Sequence, residues 1–205
     1  MCYTETETKK NILKVAKKEF LEKGFLNASL RNIVKMAGVT TGAFYGYYSN
    51  KEALFTALVE PHAVAVMGKF MQAQDHFSHL PDIEQPKNMG VESGNCIEWT
   101  IDYVYDHFDE FKLIICCSEG TPYQNFIHKM VEVEVESTYK YIDTLRRLGK
   151  KVPKIDHQLC HIICSGMFSS IFEVVVHNMP KEEAKDYVKT LKTFYEAGWL
   201  KIMGQ

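Results

Sequence analysis

Ser29-Leu30-Arg31-Asn32-Ile33-Val34-Lys35-Met36-Ala37-Gly38-Val39-Thr40-Thr41-Gly42-Ala43-Phe44-Tyr45-Gly46-Tyr47-Tyr48-Ser49-Asn50-Lys51-Glu52-Ala53-Leu54 places two short helices either side of a tight turn. Ser29 is a favourable N-cap, Ile33, Val34 and Ala37 share a face, and Gly38 stops the helix after little more than two turns. A third helix runs from Thr40 to about Tyr48. Ser49 and Glu52 then form an S-x-x-E capping box that opens a fourth at Asn50 or Lys51. Taking about 100° per residue with Phe44 in the core, Thr40, Thr41, Tyr47 and Tyr48 fall on or near the buried side. Gly42, Ala43, Tyr45 and Gly46 face outward. Two glycines on a solvated helical face are unfavourable, each costing about 1 kcal/mol relative to alanine. Close approach of the backbone to a partner explains them.

Working outward, residues 8–23 set Ile12, Val15, Ala16 and Phe20 on one face with lysines opposite, and Gly24 follows as a C-cap. Three helices with a turn at Ala37-Gly38-Val39 spell a helix-turn-helix module, whose second partner enters the DNA major groove. The 205-residue chain carries 24 basic and 26 acidic side chains, unevenly placed. Residues 1–55 hold nine Lys/Arg against five Asp/Glu, net +4, so residues 56–205 hold the remaining fifteen and twenty-one, net −6. A basic head on an acidic body points to a polyanion partner for the head alone.

The stretch Ser29–Leu54, with helix one before it, resembles the signature of the TetR family of bacterial transcriptional repressors over about residues 8–60. That resemblance implies an all-α homodimer of about nine helices: a helix-turn-helix DNA-binding domain at 1–55 and an effector-binding and dimerisation domain at 56–205. It also implies DNA contacts from Thr40, Thr41, Gly42, Ala43, Tyr45, Tyr47 and Lys51, with Ser29 or Arg31 adding a phosphate contact. In this reading Thr40 caps helix three, Thr41 lies in its first turn, Tyr45 and Tyr47 reach backbone oxygens, and Lys51 binds phosphate beside the start of helix four. The outward face lacks Arg, Asn, Gln and Lys, the side chains that pair bidentately with purines. Specificity is therefore expected from methyl contacts by Ala43 and Thr41, from main-chain approach and from DNA shape.

In the body, Pro61 is expected to kink helix four or to begin a new helix, and to serve as a pivot when an effector swings it. Residues 77–94, with Pro81, Pro86, Gly90 and Gly94, read as a long surface connection. Helices are expected at about 95–108, 109–117, 121–148, 155–178 and 181–202. The fourth of these is apolar almost all round, and the last adds Val188, Leu191, Phe194, Tyr195 and Trp199, which suggests pairing across a two-fold into a four-helix interface. An effector cavity is expected between body helices, lined by Trp99, Tyr103, His107, Phe111, Cys117, Tyr123, Phe126, Phe168 and Phe172. Its aromatics suit an apolar or aromatic compound. His157, Cys160, His161 and Cys164 share a helical stripe, but one straight helix directs only about two of them at one ion, so a packed seam is preferred to a metal site.

Only 12 Gly and 6 Pro in 205 residues argue against a loop-rich β fold, and 46% apolar content argues against disorder. Six cysteines behind an acidic, polar amino terminus read as reduced cytosolic thiols rather than a secreted framework. The apolar stretch Cys160–Val176 is broken by polar residues, which favours a soluble, cytoplasmic protein without a membrane partner. Cys116-Cys117-Ser118-Glu119-Gly120 offers nucleophiles, yet no nucleophile elbow or phosphate loop accompanies it, so an enzyme is not expected, nor a cofactor. The competing reading is a DNA-binding structural or nucleoid-associated protein without an effector.

Overall fold

The structure, a computed structural model, describes residues 5–205; Cys2 lies outside them. It is all-α as expected, with nine α-helices and a 3-10 turn among the described residues. These are α1 (Glu5–Asn27), α2 (Leu30–Met36), α3 (Thr41–Tyr47), α4 (Lys51–His79), α5 (Gln85–Asp106), α6 (Phe108–Cys116), α7 (Phe126–Arg147), α8 (His157–Val176) and α9 (Lys181–Ile202), the 3-10 turn at Pro122–Asn125 preceding α7. Two compact units result. One, the head, holds the chain up to Val64 together with His107–Phe126; the other, the body, holds Ala65–Asp106 and Ile127–Gln205.

This division differs from a single cut after residue 55. The excursion His107–Phe126 belongs with the head because α6 packs on α1. The Lys17 ammonium pairs with the Glu110 carboxylate, and the Phe25 amide donates to the Cys117 carbonyl at 2.9 Å. The core of this unit is aromatic: the Phe20 and Phe55 rings meet edge to face at 5.1 Å, as do Phe25 and Phe55 at 5.4 Å. Such pairs contribute about 0.5–1.5 kcal/mol beyond the area they bury.

Local signals set the ends of the head helices. Gly24 interrupts α1 at φ 70, ψ 166, a backbone that costs a residue with a Cβ. Gly38 ends α2 at φ 67. The fourth helix opens differently from its expected box, because Asn50 rather than Ser49 caps it, its Oδ1 accepting the Ala53 amide at 2.7 Å. Pro61 does not start a new helix, since α4 runs as one element from Lys51 to His79 with Pro61 inside it.

The long connection expected at 77–94 shrinks to residues 80–84 between α4 and α5. Pro86 sits in the first turn of α5, where its missing N–H costs nothing. Gly90 and Gly94, one turn apart on α5, face α9, where an added Cβ would meet the ends of the Glu196 and Lys192 side chains. The punctuating glycines are thus a packing surface and not a loop. Asp102 of α5 adds ion pairs to Lys181 at 3.0 Å and Lys185 at 2.8 Å on α9. Both α4 and α8 are long and apolar enough to cross a membrane by length and composition, more than the sequence suggested for α8. Cys160, Cys164, Phe168, Ile171, Phe172, Val174 and Val175 of α8 are buried in the body.

Candidate nucleic-acid interface and body cavity

Glu19 organises the turn region of the head. Its carboxylate, buried beside α1, takes the Ser29 amide at 3.1 Å, the Asn32 side-chain amide at 2.6 Å and the Lys23 ammonium at 2.8 Å. The Lys23 bond foremost, with those from Ser29 and Asn32, holds its pKa below the usual carboxylate value against the opposing effect of burial. The α2 start and α1 are thereby locked together. Asn11 fixes the other end of α2, donating to the Ala37 carbonyl at 2.9 Å. Sequence reading missed both residues; the signal available was an acidic side chain on the helix face that carries Ala16 and Phe20.

On this frame the expected DNA-contact residues fall into two groups. Thr40 caps α3 as expected, its hydroxyl accepting the Ala43 amide at 3.1 Å. Thr40, Thr41, Gly42, Ala43, Tyr45 and Gly46 are exposed, Tyr47 is half-buried, and Phe44 is fully buried. Thr40 and Thr41 thus lie further out than the wheel placed them, because the start of so short a helix projects from its support. A Cβ at Gly42 or Gly46 would meet nothing within 4 Å, so no intramolecular packing requires either glycine. Ser29 caps α2 by accepting the Asn32 amide, and both it and Arg31 are exposed.

Lys51 bonds within the head. Its ammonium donates to the carbonyls of Phe25 at 2.7 Å, Leu26 at 3.2 Å and Ala28 at 3.0 Å, and lies 4.6 Å above the Phe25 ring. The three carbonyls lie where the chain leaves α1, so the Lys51 ammonium ties the end of that helix to the start of α4. Burial lowers its basicity.

The body encloses a cavity of about 170 Å³ between α4, α5, α7, α8 and α9. Of the nine residues expected to line it, Phe168 and Phe172 do. His107, Phe111, Cys117, Tyr123 and Phe126 belong to the head instead. Trp99 and Tyr103 stack on each other at 5.0 Å, and Trp99 is exposed. On α5 the cavity is reached by residues up to Thr100, Glu92 and Cys96 among them; Tyr103 shares their side of the helix but lies beyond the last lining residue. Val188, Leu191, Tyr195 and Trp199 of α9 also line the cavity rather than an outer interface. Glu134 of α7 brings a carboxyl to this wall, bonded by Gln74 at 2.6 Å, and burial pushes it up to about 7.

The His157, Cys160, His161, Cys164 stripe divides. Both cysteines are buried, whereas His157 stacks on Tyr139 at 5.9 Å and His161 lies 5.7 Å from the His128 ring. Among the described residues, His62, His107 and Glu110 gather ligand-type atoms within 4.8 Å, with the Glu110 carboxylate already paired to Lys17. Cys117 and Ser118 are buried, and the Ser118 hydroxyl donates to the Ile114 carbonyl at 2.6 Å.

A helix-turn-helix head joined to a helical body with an internal cavity defines the class. Residues 12–58 match the family described as bacterial regulatory proteins, tetR family. Over those residues the head is similar to the TetR family. It is 45% identical over 53 residues to the HTH-type transcriptional regulator YdgC of Bacillus subtilis, covering 26% of this chain and 27% of that protein. It is 35% identical over 63 residues to the HTH-type transcriptional repressor NemR of Escherichia coli, covering 31% and 32%. The matched segment thus spans about a quarter to a third of these relatives. In fold, it is similar to a TetR-family regulator of Syntrophomonas wolfei (TM-score 0.55, 18% identity, 96% of this chain and 97% of that one). A regulator of Aquifex aeolicus gives TM-score 0.55 at 21% identity, covering 93% and 98%.

Proposed function

We propose that the protein is a ligand-responsive transcriptional repressor that binds a palindromic operator as a homodimer and is released by a small apolar or aromatic effector. The observation that carries this reading is the outer face of α3, where Gly42 and Gly46 are held in the open with no neighbour to explain them. Bare backbone there costs helix stability and is repaid only by a partner that approaches closely, and a DNA groove is such a partner. Thr41, Ala43 and Tyr45 flank it with methyl groups and a hydroxyl.

Dimerisation rests on α8 and α9, which leave Leu159 46%, Ile162 65% and Phe194 70% exposed in the single chain. Covering them with a second copy supplies two α3 helices, the number that a palindromic operator with two half-sites calls for. The body cavity favours a regulator over a DNA-binding structural protein, because a packed body needs no such space. That the E. coli relative is named a repressor supports repression.

Selection of bound fragments from the source genome at low ionic strength tests the reading. An inverted repeat with half-sites about ten base pairs apart is expected; retention of no fragment, or of fragments without a shared repeat, overturns it.

A further inference from the structure

The body cavity is apolar but not neutral in layout. Phe70, Phe77, Phe168 and Phe172 supply ring faces, and the carboxyl of Glu134 opens into the same space with Gln74 as its partner. Gln74 donates one hydrogen bond and brings no charge. An ionised carboxylate in such a wall is costly unless a cation meets it. Aromatic rings around a carboxylate form the surroundings that favour an organic cation, through ring faces and opposite charge together. The other charged lining groups lean the same way: Glu92 and Glu196 outnumber Lys192.

We propose that the cavity binds an organic cation, an aryl-bearing amine or quaternary ammonium, with Glu134 as its counter-charge. This deepens the effector reading and rests on it for its regulatory meaning, while binding itself is measured without DNA. Neutral aromatic compounds fill the same apolar space but leave Glu134 unpaired, so they bind the protonated protein and gain nothing as pH rises.

Groups facing Glu134 across the cavity are assigned as follows. Burial pushes the Cys96 thiol and Tyr141 phenol up, and hydrogen bonding with Cys160 together with burial pushes up the Cys164 thiol, so these three stay neutral near pH 7. From α9, Lys192, Tyr195 and Glu196 line the cavity. From α4, His76 pairs with Glu92 of α5 at 3.3 Å. Glu134, held at about 7, must be ionised to pair with a fixed cation, so affinity rises with pH through that value.

Titration calorimetry on the full chain decides, using trimethyl(8-phenyloctyl)ammonium, 8-phenyloctanol and 8-phenyloctanoate below their micellar concentrations. The expected order at pH 8 is ammonium at least about tenfold tighter than alcohol, with the carboxylate weakest. Ammonium affinity should fall about tenfold from pH 8 to pH 6, from the one proton Glu134 must lose. Glu134→Gln should flatten that profile and cost about tenfold in ammonium affinity at pH 8, while alcohol binding, which reports an intact cavity, stays within about threefold. His76→Asn should keep the profile. Equal affinity for ammonium and alcohol, preference for the carboxylate, or a pH profile that survives in Glu134→Gln overturns the assignment. If the ammonium binds as stated and leaves the DNA complex intact, the ligand class stands and the regulatory reading falls; if only the alcohol binds and releases DNA, the reverse holds.

Discussion

The head and the body of this molecule are held together in opposite ways. In the head, Glu19, Lys51 and Asn11 tie helix ends to one another by charge-assisted and amide hydrogen bonds around a small aromatic core. In the body, α4, α5, α7, α8 and α9 leave their common centre open, and α8 and α9 leave apolar side chains outside as well. The contrast matches the two tasks proposed for the molecule. A reader of DNA must hold its surface rigid, which directional bonds achieve, whereas a ligand-responsive body must accept different packings, and a part-empty core with uncovered outer faces allows that. Each prediction below strains one side of this contrast.

The largest effect should come from the body surface. Replacing Ile162 and Phe194 together by Glu puts two charges on the apolar faces proposed for dimerisation, and burying an unpaired charge there is prohibitive. Sedimentation should show a folded monomer, and affinity for the selected operator should fall at least about 100-fold, because one head alone loses the linked second contact. A monomeric wild type, or a dimer that survives both changes, breaks the proposed interface.

Next in size are the hooks of the head. Lys51→Met keeps the aliphatic stem but abandons three carbonyls, and should destabilise the protein by about 2–3 kcal/mol, the range of hydrogen bonds to a charged group. At temperatures where the head is folded, the salt dependence of DNA binding should be unchanged; a slope reduced by about one would return Lys51 to the role of phosphate ligand. Glu19 carries a pH signature. Its folded-state pKa lies below the unfolded one, so its contribution is present above the ordinary carboxylate range and is lost as pH falls through the lowered value. Thermal melts should therefore drop on acidification below about pH 4.5, and Glu19→Gln should reduce that drop.

These hooks also mark the limit of what the sequence discloses. The α2-turn-α3 register was legible because Ser29, Gly38 and Thr40 act within three or four residues of themselves, as caps and a left-handed turn. The carbonyl partners of Lys51 were not legible because they lie 23–26 residues earlier, a distance across which local pattern is silent. The return of α6 to the head was invisible for the same reason. Gly90 and Gly94 were read as loop punctuation although the close approach of α9 is what they serve. The cavity was expected from aromatic stripes, but five of the nine residues return to the head with α6, which local pattern does not disclose, and two of the nine line the cavity.

Smaller effects separate folding from recognition in α3. Gly42→Ala and Gly46→Ala each add a methyl group that meets nothing, and each should stabilise the helix by about 1 kcal/mol. If the bare backbone exists for DNA, the same changes should weaken operator binding about tenfold, so that melting temperature and affinity move in opposite directions. Affinity that is unchanged while stability rises would remove the argument that the glycines serve a partner.

The smallest expected effect concerns Tyr48, where the head departs from its own pattern of satisfied polar groups. Its ring packs 5.9 Å from Phe44 and is buried, yet its hydroxyl has no hydrogen-bond partner among the described residues, and burial pushes its pKa up. A buried hydroxyl without a partner costs free energy, and phenylalanine removes it with little change of shape. Tyr48→Phe should therefore be neutral or stabilise the fold by up to about 1 kcal/mol, read as a raised urea midpoint at constant m-value. Destabilisation would mean that the hydroxyl is bonded in solution, through a water at the end of α3. An unchanged midpoint together with a loss of operator affinity would mean that the orphan group awaits the DNA backbone, and the strain at that position would then belong to recognition.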